Sequence, residues 1–438
     1  HLGLCLLADP SDENRDVWGS VPVPLIPLLR ETFRMRKLAR LIGAVLLLGA
    51  CLQMSGCWDM VEVSRASLMT GLALEPGHDG RILVTLEVLN SAETMSVKGG
   101  KGGSPSQLYS NEADTIIEAM IRMNEHLDRM LIPSHIRVII VDERIAREGL
   151  DRFMDFVQRS RYVREDVTLL VSRGTKASDM LRVAYPDGMY AGFGIQSQVF
   201  NYHNNWGGVP DSFMYEVAQS AFSPGKELLL GAVTLDKKSD KEESVENSKM
   251  LDPQTLVRIT GSAAFRENRL IGFLSKEDTR MVLLVTNQLK RTTISFPLDG
   301  QGKYAAIRLI RYHTSKKVRM IEGRPLVSIN VEAAGLVASM DDNLAIDKIH
   351  GYEELDRLAS EHLKECLTAT IEKMQKQYKV DVFGFGEHLY RHRYHEFMPV
   401  SKEWNEQFAK AKVVVQVSVK IERSELKSRN LSRNKVEN

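Results

Sequence analysis

The chain has 438 residues, with 58 Lys+Arg against 57 Asp+Glu, 43% hydrophobic and 26% charged: a folded globular composition, long enough for two or three domains. A formal net charge of +1 excludes the concentrated cations with which duplex-binding proteins displace counterions, so no nucleic acid partner is expected. Four cysteines, none in a CxxC or Cys/His metal spacing, exclude a disulfide-stapled scaffold and a structural zinc site.

Residues 1–34 contain Pro22, Pro24 and Pro27 and lead into a basic stretch of Arg34, Arg36, Lys37 and Arg40. An export signal has nothing ahead of its basic region, so 1–34 reads as upstream translation with the start at Met35. Leu41 to Leu52 then forms an apolar run interrupted only by Gly43 and Gly49. A helix rising about 1.5 Å per residue needs about 20 residues to cross the hydrocarbon, so this shorter run is a signal-peptide core. Residues 35–56 end in Met54-Ser55-Gly56, followed by Cys57. That is the form of a bacterial lipobox, in which the cysteine thiol receives a diacylglyceryl group and the new terminus an N-acyl chain. A buried helix ending in a structural cysteine explains the apolar run alone; the order basic, apolar, small favours the lipobox.

Two acyl chains of about 15 methylenes each, at about 0.8 kcal/mol per methylene, bound the anchoring energy on the order of 20 kcal/mol. Residues 1–56 hold six Lys/Arg and five Asp/Glu, so subtraction leaves 52 of each sign from Cys57 onward. A neutral body gains little from anionic head groups, and the lipid is expected to hold it.

Ser67 to Leu74 and Arg81 to Leu89 read as paired strands across the turn Glu75-Pro76-Gly77-His78-Asp79-Gly80. The Lys98 to Pro105 loop is glycine-rich but lacks GxxxxGK[ST] spacing, and reads as a flexible linker. Ile116, Met120, Met123, Leu127 and Met130 recur at helical spacing, which predicts a helix capped by Asn111, with Asp114 in its first turn and Pro133 as its stop. The pattern then gives a strand over 135–141, a helix over 145–157, a strand over 167–171 and a short helix over 177–183. Residues 185–224 read as irregular, with a helix around 213–221.

Residues 236–254 are polar and of mixed sign, which predicts a linker between domains. Beyond them strands are expected over 256–265, 270–274, 291–296, 304–312 and 326–333, with a turn at Glu322-Gly323-Arg324-Pro325. A long helix carries Leu355, Ala359, Leu363, Cys366, Thr370, Met374 and Tyr378 on one stripe, which makes Cys366 buried and inert. A strand over 413–421 and a polar tail, 425–438, close the chain. The expected fold is α+β and multidomain, with mixed sheets and covering helices: an N-terminal α+β domain over 57–184, and a C-terminal one over 255–424 whose antiparallel sheet packs on the long helix.

No catalytic residues emerge. Ser134 and His135 are adjacent without a GxSxG elbow, and neighbours on a strand point to opposite faces. His388 and His392 have the i, i+4 spacing of metal ligands on a helix, with His395 beyond, yet no HExxH pattern supplies a third ligand. Solvated histidines beside Arg391 and Arg393 explain the same composition. No metal and no dissociable cofactor are expected; the one covalent group is the lipid on Cys57.

One ordered series of residues resembles a known family. Gly56-Cys57-Trp58-Asp59, Thr70-Gly71, His135-Ile136-Arg137 and Ala146-Arg147-Glu148-Gly149 come first. Gly261 to Phe265, Leu270 to Leu274 with Glu277 and Arg280, Asp381 to Glu387, and Trp404 with Phe408 complete it. The series is similar to the Ger(x)C spore germination lipoproteins, the C subunits of nutrient germinant receptors. Met54 stands where that family's lipobox more often has Leu. The resemblance implies a non-enzymatic lipoprotein on the outer face of the inner spore membrane, acting with two integral membrane subunits, A and B. It also implies three α+β domains, the middle one within 185–235. The alternative is a lipid-tethered solute-binding protein that captures a small nutrient, which requires a deep cleft with convergent polar groups. For the receptor subunit, direct small-molecule binding is not expected, and sheet edges or apolar surface serve as the interface.

Overall fold

The computed structural model of the chain describes residues 38–45, 66–90, 104–160, 163–185, 189–221, 223–237, 246–298, 302–341 and 349–422. Met54, Ser55, Gly56 and Cys57, the start at Met35, the glycines of the 98–105 loop and the tail 425–438 lie outside these residues. Residues 38–45 are helical and expose Leu38, Leu41, Ile42 and Val45. Among the described residues no helix is long and apolar enough to cross a membrane.

The fold is α+β, built on two mixed sheets. The first contains β1 (Ala66–Pro76), β2 (Ile82–Leu89), β3 (Ser106–Ala113), β4 (Met130–Ile132), β5 (Val138–Asp142), β6 (Thr168–Ser172), β7 (Leu229–Lys237), β8 (Thr255–Arg266) and β9 (Arg269–Leu274). Their order is β3-β2-β1-β5-β6-β7-β8-β9, with β4 also paired to β1. The central pairs β1–β5, β5–β6 and β6–β7 are parallel and the outer ones antiparallel.

The unbroken apolar runs of β5 and β6 follow from burial on both faces. Alternate residues serve opposite cores. Ile139 and Val141 pack with Ile116, Met120, Phe153 and Met214, whereas Val138 and Ile140 pack with Met180, Ala191, Ile195 and Val199.

The second sheet, β10 (Thr292–Pro297), β11 (Tyr304–Ile321), β12 (Arg324–Met340) and β13 (Lys412–Glu422), is ordered β10-β11-β12-β13. Its inner face packs on helices Lys276–Val285 and Ile349–Lys373 through Met281, Leu284, Ile329, Val331, Leu355 and Leu363. The first three strands are antiparallel, but β13 joins β12 in parallel from Leu326↔Lys412 to Leu336↔Glu422. This departs from a wholly antiparallel sheet because the long helix and the segment after it carry the chain back before the last strand. The outer edge of β13 is capped near its C-terminal end. Val419 N donates to Ser360 Oγ at 2.9 Å and Ile421 N to Asp356 Oδ1 at 2.7 Å, both acceptors on the long helix.

Several local expectations are corrected. Asn111 lies in β3, where it pairs with Val84, and the cap is Thr115, whose Oγ1 accepts from Glu118 N at 3.2 Å. That helix covers only Ile116–Arg122, and Met130 sits on β4 opposite Ala66, more than half exposed. The 145–157 helix is two, Glu143–Glu148 and Asp151–Arg159, broken at Gly149. Ser134 and His135 occupy a 3-10 turn ahead of β5 rather than the strand. The stretch read as irregular holds helix Ala191–Asn205. The polar stretch 236–254 joins two neighbouring strands, since β7 pairs with β8 from Leu229↔Ala264 to Lys237↔Thr255.

Helix Ala191–Asn205 begins on a buried carboxylate. Glu87 accepts from Ala191 N and Gly192 N, both at 2.7 Å, from Thr70 Oγ1 at 2.8 Å and from Ser106 Oγ at 2.7 Å. Burial raises the Glu87 pKa against these four donors, and the helix dipole favours an anion at this end. A Cβ on Gly192 would stand 2.4 Å from the Thr70 carbonyl oxygen. Gly192→Ala is therefore expected to cost about 1–3 kcal/mol by overpacking. Urea denaturation should show a lowered midpoint with little change in slope; an unchanged midpoint would contradict this contact.

Candidate functional site at the seam around Asp381

The sequence Asp381-Val-Phe-Gly-Phe-Gly-Glu387 folds as a turn that opens helix Phe385–His392. Gly384 takes φ +71°, a left-handed conformation that side chains resist, and this turns the chain back over Asp381. Asp381 is completely buried. Its Oδ1 accepts from Phe383 N at 3.0 Å; its Oδ2 accepts from Gly386 N at 2.8 Å and Trp404 Nε1 at 2.9 Å. Burial pushes the carboxyl up to about 6 despite those donors and the nearby Lys316 ammonium. Lys316 Nζ donates to the Phe383 carbonyl at 3.1 Å, and burial lowers its own pKa. Around this centre the rings of Phe383 and Phe385 lie 5.2 Å apart, and Phe385 and Phe408 5.9 Å.

The same turn ties the segment leading into β7 to the C-terminal helices. Glu227 N donates to the Asp381 carbonyl at 2.9 Å and Glu387 N to the Gly225 carbonyl at 3.1 Å. Asn405 bridges the two segments: its Nδ2 donates to Glu227 Oε1 at 2.6 Å, and its Oδ1 accepts from Asp381 N at 3.2 Å. Gly225 and Gly386 meet backbone to backbone, where a Cβ on either would come within 3 Å of the other. Beside this seam is a polar cleft of about 260 Å³ lined by Lys226, Glu227, Arg266, Asn268, Ser401 and Asn405. Arg266 is paired there with Glu406.

The other motif residues are also contact residues. Thr70 sits at a bulge in β1; its carbonyl accepts from Arg137 N at 2.8 Å. Tyr378 Oη donates to the Phe273 carbonyl at 2.8 Å across Gly272. Arg280 stacks on Trp206 at 4.2 Å and donates to the Thr293 carbonyl at 3.0 Å.

Ser134 Oγ and His135 Nδ1 do approach, at 3.1 Å, but His135 is exposed on its turn. His388 and His392 share one face of helix Phe385–His392, their rings stacked 4.1 Å apart, and His392 Nδ1 donates to the His388 carbonyl at 2.9 Å. His395 is exposed on the next short helix and does not join them. Among the described residues no group of three or more His, Cys, Asp or Glu is placed to hold a metal ion. Cys366 is only half-buried, unlike the expectation; burial raises its thiol pKa, and its sulfur is 3.6 Å from His362 Nε2.

Asp381 and Glu87 stood in the sequence as ordinary carboxylates. The signal for Asp381 was the pair of glycines three and five residues on, which let backbone N–H groups turn toward one carboxylate. Helix Lys276–Val285 was also missed, although Ser275 and Asp278 form a capping box, with Asp278 N donating to Ser275 Oγ at 3.0 Å.

Asp381 makes stability depend on pH. Its native pKa lies above the ordinary 3.8, so the folded state takes up a proton between about pH 4 and 6. The associated stability is full below that window and falls as pH rises through it, by about 3 kcal/mol at about 1.36 kcal/mol per unit. Urea titrations from pH 4 to 7 should show this fall in the wild type and a flatter profile in Asp381→Asn; parallel profiles would contradict it. Trp404→Phe removes one donor from the buried carboxylate and is expected to cost about 1–3 kcal/mol.

The chain matches two family descriptions end to end: "Spore germination protein N-terminal domain" over residues 59–235 and "Spore germination B3/ GerAC like, C-terminal" over 260–425. It is 21% identical over 370 residues to spore germination protein KC of Bacillus subtilis (strain 168), covering 83% of this chain and 91% of that protein. To the putative spore germination protein YfkR of the same organism it is 24% identical, covering 86% and 95%. A crystal structure of the GerBC protein superposes with a TM-score of 0.50 at 19% identity, covering 83% of this chain and 99% of that one, and so shares the fold. Two domain matches in order, spanning most of the sequence, place the chain in the Ger(x)C family of spore germination proteins, the C subunits of germinant receptors.

Proposed function

We propose that this C subunit is a non-enzymatic lipoprotein, held on the extracytoplasmic face of the inner spore membrane by acyl chains on Cys57 and working beside the two integral membrane subunits, A and B. The observation that carries this reading is what the family-pattern residues do. Thr70, Arg137, Gly272, Arg280, Asp381, Gly386 and Trp404 hold segments of the fold to one another through the contacts above. They do not converge on a solvent-filled centre with a nucleophile, an acid and a base. A subunit whose shape is its function needs such fixed seams, and tethering to the bilayer raises its effective concentration beside its partners, so modest contacts suffice.

The polar cleft beside Asp381 is the feature that favours a second reading, direct capture of a small nutrient. Its volume of about 260 Å³ falls just below the usual range of small-molecule sites, about 300–1,000 Å³. Calorimetry of the full chain carrying Cys57→Ala, titrated with amino acids and with sugars, is expected to give no saturable heat. Saturable heat abolished by Lys226→Ala would instead establish the nutrient-binding reading.

Cys57→Ala is expected to leave the urea midpoint of the folded part unchanged, because every core residue named above lies downstream of it. It should release the protein from spore membranes into the soluble fraction and slow the nutrient response. Full membrane retention of the variant, with mass spectrometry showing no acyl group on the wild type, would overturn the anchor.

A further inference from the structure

The C-terminal sheet has two unlike faces. Val318, Val327, Ile329, Val331 and Val415 point into the core. On the opposite face, cross-strand register aligns Arg319, Leu326 and Lys412 on one rung, then Lys317, Ser328 and Val414. Further along come Arg311, Ala334 and Lys420, and at the far end Arg308, Leu336 and Glu422. Seven exposed cations stand here: Arg308, Arg311, Lys317, Arg319, Arg324, Lys412 and Lys420. Glu332 and Glu422 are the carboxylates that strand register puts on this face, so it carries +5 by subtraction. Against +1 for the whole chain, that leaves −4 everywhere else. Arg311 pairs with Glu422, which removes one charge of each sign and leaves the surplus unchanged. Among the cations are exposed apolar side chains: Ile310 at 42%, Val414 at 40% and Ile321 at 48%.

We propose that this face of the β10–β13 sheet rests on the head groups of an anionic phospholipid bilayer. Arg308 to Arg319 spans eleven residue steps of one strand, about 36 Å at about 3.3 Å per step. An acidic protein would need carboxylates matched along that whole length, whereas a bilayer offers phosphates under every cation. Ile310 and Val414 fit the boundary between head group and acyl chain, where apolar groups rimmed by Lys and Arg bind. Such attraction acts only within a Debye length, about 8 Å at physiological salt, so it orients a body already held close. The proposal deepens the membrane-anchored reading and rests on it for proximity, while the docking itself requires no acyl chain.

The test uses the full chain with Cys57→Ser, which has no thiol to acylate, in co-sedimentation with vesicles. Binding to an equimolar mixture of phosphatidylglycerol and phosphatidylcholine is expected to be at least tenfold tighter than to phosphatidylcholine alone. Combined Arg319→Glu, Lys412→Glu and Lys420→Glu should abolish the difference. Lys176→Glu, Lys379→Glu and Lys402→Glu, exposed cations elsewhere with the same total charge change, should preserve it. If the first triple variant fails to fold, Lys317→Gln with Lys420→Gln serves instead, with a threefold or greater loss expected. Equal binding to both vesicles, equal loss in both triple variants, or binding to poly-glutamate without binding to vesicles would each overturn the proposal. Because this protein lacks the anchor cysteine, failure here leaves the lipid anchor untouched, and an unacylated wild type would leave this face untouched.

Discussion

The constraint on which the C-terminal half depends is the burial of one carboxylate. An ionised group removed from water costs several kcal/mol unless donors replace the lost hydration. At Asp381 the replacements are two backbone N–H groups, the indole of Trp404 and the field of Lys316. None of these reaches the carboxylate unless the chain turns at Gly384, Gly386 lies against Gly225, and the helix bearing Trp404 stands at one orientation. A single side chain thus fixes three segments together, and the backbone bonds of Glu227 and Glu387 follow from that placement. Glu87 does the same for the first sheet, joining two strands to the start of a helix. The two halves of the protein are organised by the same device: a buried acid whose donors come from segments distant in sequence.

Much of this architecture was legible because it is periodic. Alternating or continuous apolar runs marked most strands, and the stripe from Leu355 to Met374 marked the long helix, whose Leu355, Ala359 and Leu363 are buried. Helix Ala191–Asn205 was hidden by its own packing. Gly192 and Gly194 are needed where the helix meets Thr70 and the ring of Tyr185, and glycine is the residue that argues against a helix from sequence. The stripe Ala191, Ile195, Val199 and His203 was present, and all four are buried. Asn111 and Met130 misled for the converse reason: a capping residue type in one case, and a helical spacing in the other, fell by coincidence on a strand residue. The direction of β13 was not readable, since local pattern says that a strand exists and nothing about its neighbour. The site was less legible than the fold. The glycines around Asp381 were visible as a motif, but what they surround depends on Trp404, distant along the chain.

Net charge proved a poor summary of electrostatics. Equal numbers of each sign from Cys57 onward suggested a body indifferent to an anionic surface. The register of β11, β12 and β13 instead collects cations on one side of a sheet, with the compensating carboxylates elsewhere. Charge acts over about a nanometre in salt water, so arrangement on a face governs behaviour more than the total does.

The bonds from Val419 and Ile421 to side chains of the long helix have a further consequence. A strand edge with free amides accepts almost any extended peptide, because backbone recognition ignores sequence. With those two amides occupied, this end of the border cannot zipper onto a passing strand, including the same strand of a second copy. Association at that end is left to side chains, which discriminate by sequence where a backbone cannot.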